Sequence, residues 1–282
     1  MRAEQLTDVV TFHGEGPVWS DSWGGLRLVD LFAGDVLTLA DDATVTRRHV
    51  DSIAAALRPR VGGGAVIATE RGFTLEAADG TLTALPDVWA DDSVRMNDGG
   101  CAPDGSFYSG SMAYDQRTGA GALYRLSPDR SVSRVHSDVT ISNGLDWSPD
   151  GTLAYYNDTP TGRIAVFDYD SDAGLTGLRP FIEIPESVGY PDGLTVDSDN
   201  GVWVALYGGG AVHHYSAQGR LEQIITVDAR NVTACTFGGP DLSQLFITTS
   251  RENLDPGQDP LAGAIFTATP GVTGRTVQPF RG

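Results

Sequence analysis

The sequence predicts an all-β protein, a six-bladed β-propeller of four-stranded antiparallel blades around a central channel, with residues 1–282 forming a single domain. Three observations carry this. A pattern of polar residue, glycine, short apolar strand and Asp-rich turn recurs along the chain. Its spacing is about 40–50 residues, the period of a propeller blade. The 35 glycines and 15 prolines punctuate β-rich runs and leave no room for a series of long helices. No Pro-rich, Ser-rich or like-charge linker divides the chain, and a β-sandwich would fit the strand content but not a sixfold repeat.

The units follow in order. Val9-Val10-Thr11-Phe12 reads as an opening strand, expected to pair with the closing run Thr276-Val277-Gln278-Pro279-Phe280 and so cover an exposed sheet edge. Glu15-Gly16-Pro17-Val18-Trp19 opens the first unit and Leu57-Arg58 the second. The third starts at Asn97-Asp98-Gly99-Gly100-Cys101 and continues through the strand-like runs Phe107-Tyr108-Ser109 and Ala122-Leu123-Tyr124-Arg125-Leu126. The fourth starts at Asn143-Gly144-Leu145-Asp146-Trp147, followed by Leu153-Ala154-Tyr155-Tyr156 and Arg163-Ile164-Ala165-Val166-Phe167. The fifth starts at Asp192-Gly193-Leu194, followed by Val202-Trp203-Val204-Ala205 and Ala211-Val212-His213-His214-Tyr215. Thr233-Ala234-Cys235-Thr236-Phe237 opens the sixth. Asp-Gly turns fall between the runs, where glycine supplies positive φ and aspartate bonds its own backbone.

Composition narrows the function classes. A formal net charge of −18 argues against nucleic acid and anionic membrane surfaces, which need clustered cations. All 19 basic residues are arginine, so Schiff-base and nucleophilic lysines and the usual phosphate loop are excluded. Cys101 and Cys235 fall in the third and sixth units, too far apart to bridge, and read as buried small side chains. The N-terminal Met1-Arg2-Ala3-Glu4-Gln5 lacks an apolar segment, and no run approaches the ~18 apolar residues of a membrane span. A soluble, cytoplasmic protein is expected.

In a propeller the first strand of each blade lines the channel, so equivalent positions converge on one ring. Glu15, Asn143 and Asp192 occupy such a position in units one, four and five. Two carboxylates and an amide are oxygen donors suited to one hard divalent cation; calcium, zinc, manganese, magnesium and iron(II) all accept such donors. Taken singly, Asn143 or Asp192 before glycine is a turn former and Glu15 a strand-end carboxylate; the shared position favours the metal. No His/Cys spacing makes a tetrahedral zinc site. His13 reads as a loop histidine with a local hydrogen bond, near enough to the first motif to stand behind it. His213 and His214 on one strand face opposite ways and cannot chelate together. There is no Gly-x-Ser-x-Gly elbow, Gly62-Gly63-Gly64 lacks a following lysine and helix, and Trp19, Trp147 and Trp203 read as packing between blades.

Several motifs in order give the chain a resemblance to a known family: Gly14-Glu15-Gly16-Pro17-Val18-Trp19, Ala56-Leu57-Arg58, Arg95-Met96-Asn97-Asp98-Gly99, Gly110-Ser111-Met112, Ile141-Ser142-Asn143-Gly144-Leu145-Asp146-Trp147, Pro191-Asp192-Gly193-Leu194 and Cys235-Thr236-Phe237-Gly238-Gly239. With them the sequence resembles the senescence-marker-protein/regucalcin/gluconolactonase family nearly end to end. The resemblance implies a six-bladed propeller with one channel metal held by Glu15, Asn143 and Asp192, and substrate contacts from Arg95 and Asn97. Where animal members place a substrate-contacting glutamate, three residues past the Gly-x-Met methionine, this chain has Asp115, one methylene shorter.

The expected function is therefore metal-dependent hydrolysis of a sugar-acid lactone to the aldonic acid. The metal would polarise the carbonyl and activate water, Asp192 is the candidate general base, and Arg95, Asn97 and Asp115 would hold the small-molecule lactone. Two alternatives stand beside it: an esterase or phosphotriesterase using the same metal, and a non-catalytic divalent-metal-binding propeller.

Overall fold

The alternating runs resolve into six four-stranded antiparallel sheets. The computed structural model describes residues 1–40 and 42–282. The innermost strands are Gly14–Ser20, Ala54–Pro59, Val94–Cys101, Ser142–Trp147, Tyr190–Val196 and Val232–Gly238. In blades one to five the next three strands follow outward in chain order, as in blade four, where Leu153–Asp158, Arg163–Asp170 and Gly174–Glu183 complete the sheet. Each innermost strand touches the next, and the first touches the sixth, which closes the ring. The only helices among the described residues are four three-residue 3-10 turns, and no helix is long and apolar enough to cross a membrane.

The core lies in the seams between blades. Six apolar clusters each join two neighbouring sheets, for example Leu26, Leu28 and Leu37 of blade one with Phe246 of blade six, and Trp203 and Val212 of blade five with Phe237 and Ile247 of blade six. Flat sheets buried on both faces need such packing, and each large aromatic side chain contributes roughly 150–250 Å² of buried surface. The tryptophans stand where the sequence placed them. Trp19 stacks on Phe246, Trp147 tilts against Tyr108, and Trp203 meets Phe237 edge-on. Cys101 and Cys235 are buried and free in blades three and six. His214 lies flat on Trp203 and approaches Asp197 Oδ2 at 3.2 Å, while His213 Nδ1 pairs with the Tyr215 hydroxyl; both histidines belong to the packing of blade five.

Ring closure departs from the sequence expectation. The strand that completes blade six is Glu4–Gln5, paired antiparallel with Phe266–Ala268, and not Val9–Phe12 paired with residues 276–280. The N-terminal segment is pinned further by Leu6 N–H to Ile265 O (2.8 Å) and Ala3 N–H to Thr226 O (2.9 Å), tying blade five to blade six. Val10 and Thr11 instead donate to Gly263 O, a bend that the strand-like composition of Val9–Phe12 did not disclose. Residues 275–282 run across the channel end farther from Glu15, Asn143 and Asp192. Arg275 donates to Trp147 O and Val196 O there, and Phe280 bridges to Arg60 of blade two. Pro279 and the absence of regular alternation keep this tail out of any sheet.

Deleting residues 1–6 uncovers the Phe266–Ala268 edge and should lower the thermal midpoint by several degrees, with concentration-dependent aggregation. Differential scanning calorimetry with light scattering checks this; an unchanged midpoint would show that the two-residue strand contributes nothing to closure.

Candidate functional site

Every innermost strand breaks register with its neighbour at the same level: between Glu15 and Val18, Ala54 and Ala56, Met96 and Gly99, Asn143 and Leu145, Pro191 and Leu194, and Val232 and Ala234. Such bulges leave residues unpaired, increase the local twist and re-aim side chains. At this level stand Glu15, Asn97, Asn143 and Asp192, all buried and all lining one cavity of about 290 Å³. Blades two and six place Ala55 and Thr233 here, neither of which reaches the cavity. The glycines after Asn143 and Asp192 serve close approach between blades, whereas Gly16 after Glu15 takes a positive φ of 50°. A Cβ on Gly144 would sit 2.7 Å from Asp192 O and from Asn157 Nδ2, and one on Gly193 would sit 2.5 Å from the Ala234 Cβ.

A directed chain of hydrogen bonds fixes the polar side chains. Arg95 Nη1 donates to Asn97 Oδ1 (2.6 Å), and Asn97 Nδ2 donates to Asn143 Oδ1 (2.8 Å) and Ser142 O (2.8 Å). Asn143 Nδ2 then donates to Thr159 Oγ1 (2.8 Å), which donates to Pro191 O (2.8 Å). Asn157 Nδ2 holds Asp192 O at 2.6 Å. The relay spans blades three, four and five and sets the Asn143 amide with its oxygen toward Asn97. Arg95 is buried, lies 5.2 Å from the Phe32 ring centroid and 5.8 Å from that of Tyr114, and its Nε has no partner.

The cavity is electrostatically strained. Burial, then repulsion from Asp98, pushes the Glu15 carboxyl up to about 8, against the Gly16 N–H and Arg95. Burial and repulsion from Glu15, Asp98 and Glu252 hold Asp192 well above the usual carboxylate range. Asp98 is raised by burial, partly offset by Arg58. Burial, with Arg95 adding to it, drives His13 down to about 3. His13 is thus a neutral imidazole, with Nδ1 at 2.7 Å from Ser250 Oγ and Nε2 at 4.0 Å from Glu15 Oε1. The hydrogen bond is not the local one expected from the sequence: it joins His13 to Ser250, just past the blade-six strand Gln244–Thr249, and His13 also lines the cavity.

Two acidic side chains that repel one another, with an amide oxygen on the same wall, are the donor set a hard divalent cation requires. A dication between them would remove the repulsion that now favours their protonation. Among the described residues no group of three or more His, Cys, Asp or Glu side chains is arranged for a metal; the set here depends on the neutral oxygen of Asn143.

The structure brings Glu15, Arg95, Asn97, Asn143 and Asp192 together and leaves Asp115 apart. Asp115 is exposed, paired with Arg117 Nη1 at 3.0 Å, and accepts the Arg117 N–H in a tight turn. Its neighbour Gln116, at φ 56°, lines the cavity instead. Sequence reasoning passed over Glu252, which lies just beyond the blade-six strand Gln244–Thr249 and also lines the cavity. Its loop has no counterpart in the other repeats, so no periodic signal marked it.

The family described as the SMP-30/Gluconolactonase/LRE-like region matches residues 13–251. A Bacillus subtilis protein named, provisionally, as a sugar lactone lactonase is 33% identical over 277 residues, covering 95% of each chain. A calcium-binding regucalcin from Agrobacterium tumefaciens superposes with a TM-score of 0.93 at 28% identity, covering 99% of this chain and 97% of that one. A gluconolactonase from Xanthomonas campestris superposes with a TM-score of 0.76 at 25% identity, covering 93% and 87%.

The raised folded-state pKa of Glu15 means that its contribution to stability is full below the ordinary carboxylate range and is lost as pH climbs toward 8. Asp192 and Asp98 act in the same direction. His13 acts oppositely, disfavouring the fold as pH drops below its unfolded value of about 6.5. Between about pH 6.5 and 8 the carboxylates therefore dominate this site. The thermal midpoint of metal-free protein should fall across that interval, and a divalent cation should raise it more at the upper end. Scanning fluorimetry at both pH values checks this; equal midpoint gains would show that the carboxylates do not repel.

Proposed function

Because the chain belongs to the SMP-30/gluconolactonase/LRE-like family, we propose that it opens sugar-acid lactones by metal-assisted hydrolysis at the Glu15–Asn143–Asp192 end of the channel. The observation that carries this is the pairing, in one cavity, of two mutually repelling buried carboxylates with a buried guanidinium whose Nε lacks a partner. Such a cavity is short of a cation on one side and short of an acceptor on the other. Its volume of about 290 Å³ stands at the small end of ligand pockets, which run ~300–1,000 Å³, and suits a single ring.

A divalent metal held by Glu15, Asn143 and Asp192 supplies, when bound, Lewis acidity toward a carbonyl oxygen and a more acidic water. The remaining work falls to the chain. Asp192 accepts the proton of the attacking water as the carbonyl carbon becomes tetrahedral. Arg95, whose residue lines the cavity, offers its guanidinium charge to the negative charge that develops on the carbonyl oxygen. Collapse of that centre breaks the ring C–O bond, and the proton returns to the leaving alkoxide, giving the hydroxy acid. Asn97 has its amide engaged by Arg95, Asn143 and Ser142. It holds both neighbours in place and keeps one Oδ1 lone pair for a sugar hydroxyl. His13, neutral and fixed by Ser250, adds an uncharged wall behind Glu15.

Asp192→Asn, assayed at saturating metal, should lower kcat on an aldonolactone by about 10²–10⁴-fold while KM changes far less. Turnover near that of the unmodified protein would remove Asp192 from the mechanism. Chelation should abolish turnover, and added divalent cation should restore it; full activity in verified metal-free protein would exclude the metal from the reaction.

A further inference from the structure

We infer that Glu252 is the carboxylate that grips the hydroxyl groups of the lactone, the task that the family resemblance implied for Asp115; the inference rests on the lactonase reading. The Glu252 side chain is 29% exposed and its residue lines the cavity beside Arg95, His13 and Asp192. Its backbone is built in. The N–H donates to Ser250 Oγ (2.9 Å), and the carbonyl accepts from Asn231 Nδ2 (2.9 Å) and the Tyr207 hydroxyl (3.1 Å). Three side chains thus fix the start of an otherwise irregular loop and hold one carboxylate at the cavity wall.

That carboxylate is held without being used. His13 Nδ1 stands 3.4 Å from Oε2 but is already engaged with Ser250 Oγ at 2.7 Å. Arg95 acts on Glu252 across the cavity without an ion pair within 4.0 Å. A carboxylate carries about four acceptor positions, and with the Glu252 side chain 29% exposed they stay open to donors from the cavity. Hydroxyl groups of a polyol ring supply the missing donors, and a carboxylate selects them over an unsubstituted ring. Asp115 lies outside the cavity, where its Oδ1 serves the Arg117 turn.

The test compares glucono-1,5-lactone with the unsubstituted δ-valerolactone on the metal-loaded protein. Glu252→Ala should lower kcat/KM for the hydroxylated lactone about 30-fold, chiefly through KM, and leave δ-valerolactone within about threefold. Glu252→Gln, which keeps an acceptor oxygen and the fold, should give about a five- to tenfold loss on the hydroxylated lactone alone. Metal affinity, read by calorimetric titration of both variants, should stay within about threefold. Equal losses on both lactones, a tenfold or greater loss of metal affinity, or Asp115→Asn reproducing the selective loss would each overturn the inference and leave the lactonase reading standing. Unmodified protein that opens neither lactone would overturn that reading, and the inference with it.

Discussion

Four of the six innermost strands have to pair with their own sheets and also deliver a polar group to the cavity, and the β-bulge is the constraint that reconciles the two. In a regular strand the channel-facing residues alternate strictly with residues facing the next layer. The six register breaks at one level interrupt that alternation; Asn97 and Asp192 fall inside theirs, and Glu15 and Asn143 are the last paired residues before theirs. The glycines that follow two of these residues exist for the neighbouring blade: a side chain at Gly144 would collide with the Asp192 carbonyl, and one at Gly193 with Ala234. Blade spacing and site geometry are therefore one problem, solved by the same few residues.

The seams make the arrangement tolerable. Burying a charged carboxylate costs several kcal/mol even after relaxation, and the cavity contains more acids than its cation Arg95 can balance. A single sheet would relieve this by moving apart. Six apolar clusters, one at each blade junction, remove that freedom, because opening one seam strains the whole ring. The unfavourable electrostatics therefore persists in the folded ring.

How far the sequence could be read follows from the same geometry. Glu15, Asn143 and Asp192 were legible because a repeated position maps onto a ring, so three separated motifs predicted one place in space. Arg95 and Asn97 came with their motif. What had no repeat was not legible. Glu4–Gln5 is two residues long and carries no alternation, so its role in closure could not compete with the more strand-like Val9–Phe12. Asp115 and Glu252 lie on loops, where spacing from a motif does not determine direction: one turn at φ 56° sends Gln116 inward and leaves Asp115 outside. The Asn-Gly and Asp-Gly pairs carried two meanings, turn or close approach, and only the neighbouring blade decides between them.

The net charge of −18 bears a second reading once the turns are seen. Asp42, Asp79, Asp91, Asp129 and Asp241 each precede a Ser or Thr by two residues and accept its backbone N–H. Hydrogen bonds from those Ser and Thr residues hold all five below the usual carboxylate range. These five of the 37 acidic residues are thus turn chemistry and say little about partners. The buried acids Glu15, Asp98, Asp192 and Glu252 are shifted the opposite way, by burial and, for Glu15 and Asp192, by neighbouring acids: Asp98 for Glu15, Glu15 and Asp98 for Asp192. The same side-chain chemistry is sorted into two populations by environment alone. Exposed carboxylates bound to turn backbone shape the blades, whereas the buried ones, even with a backbone N–H on Glu15 and Asp98, have their charged forms disfavoured by burial, the environment typical of functional groups.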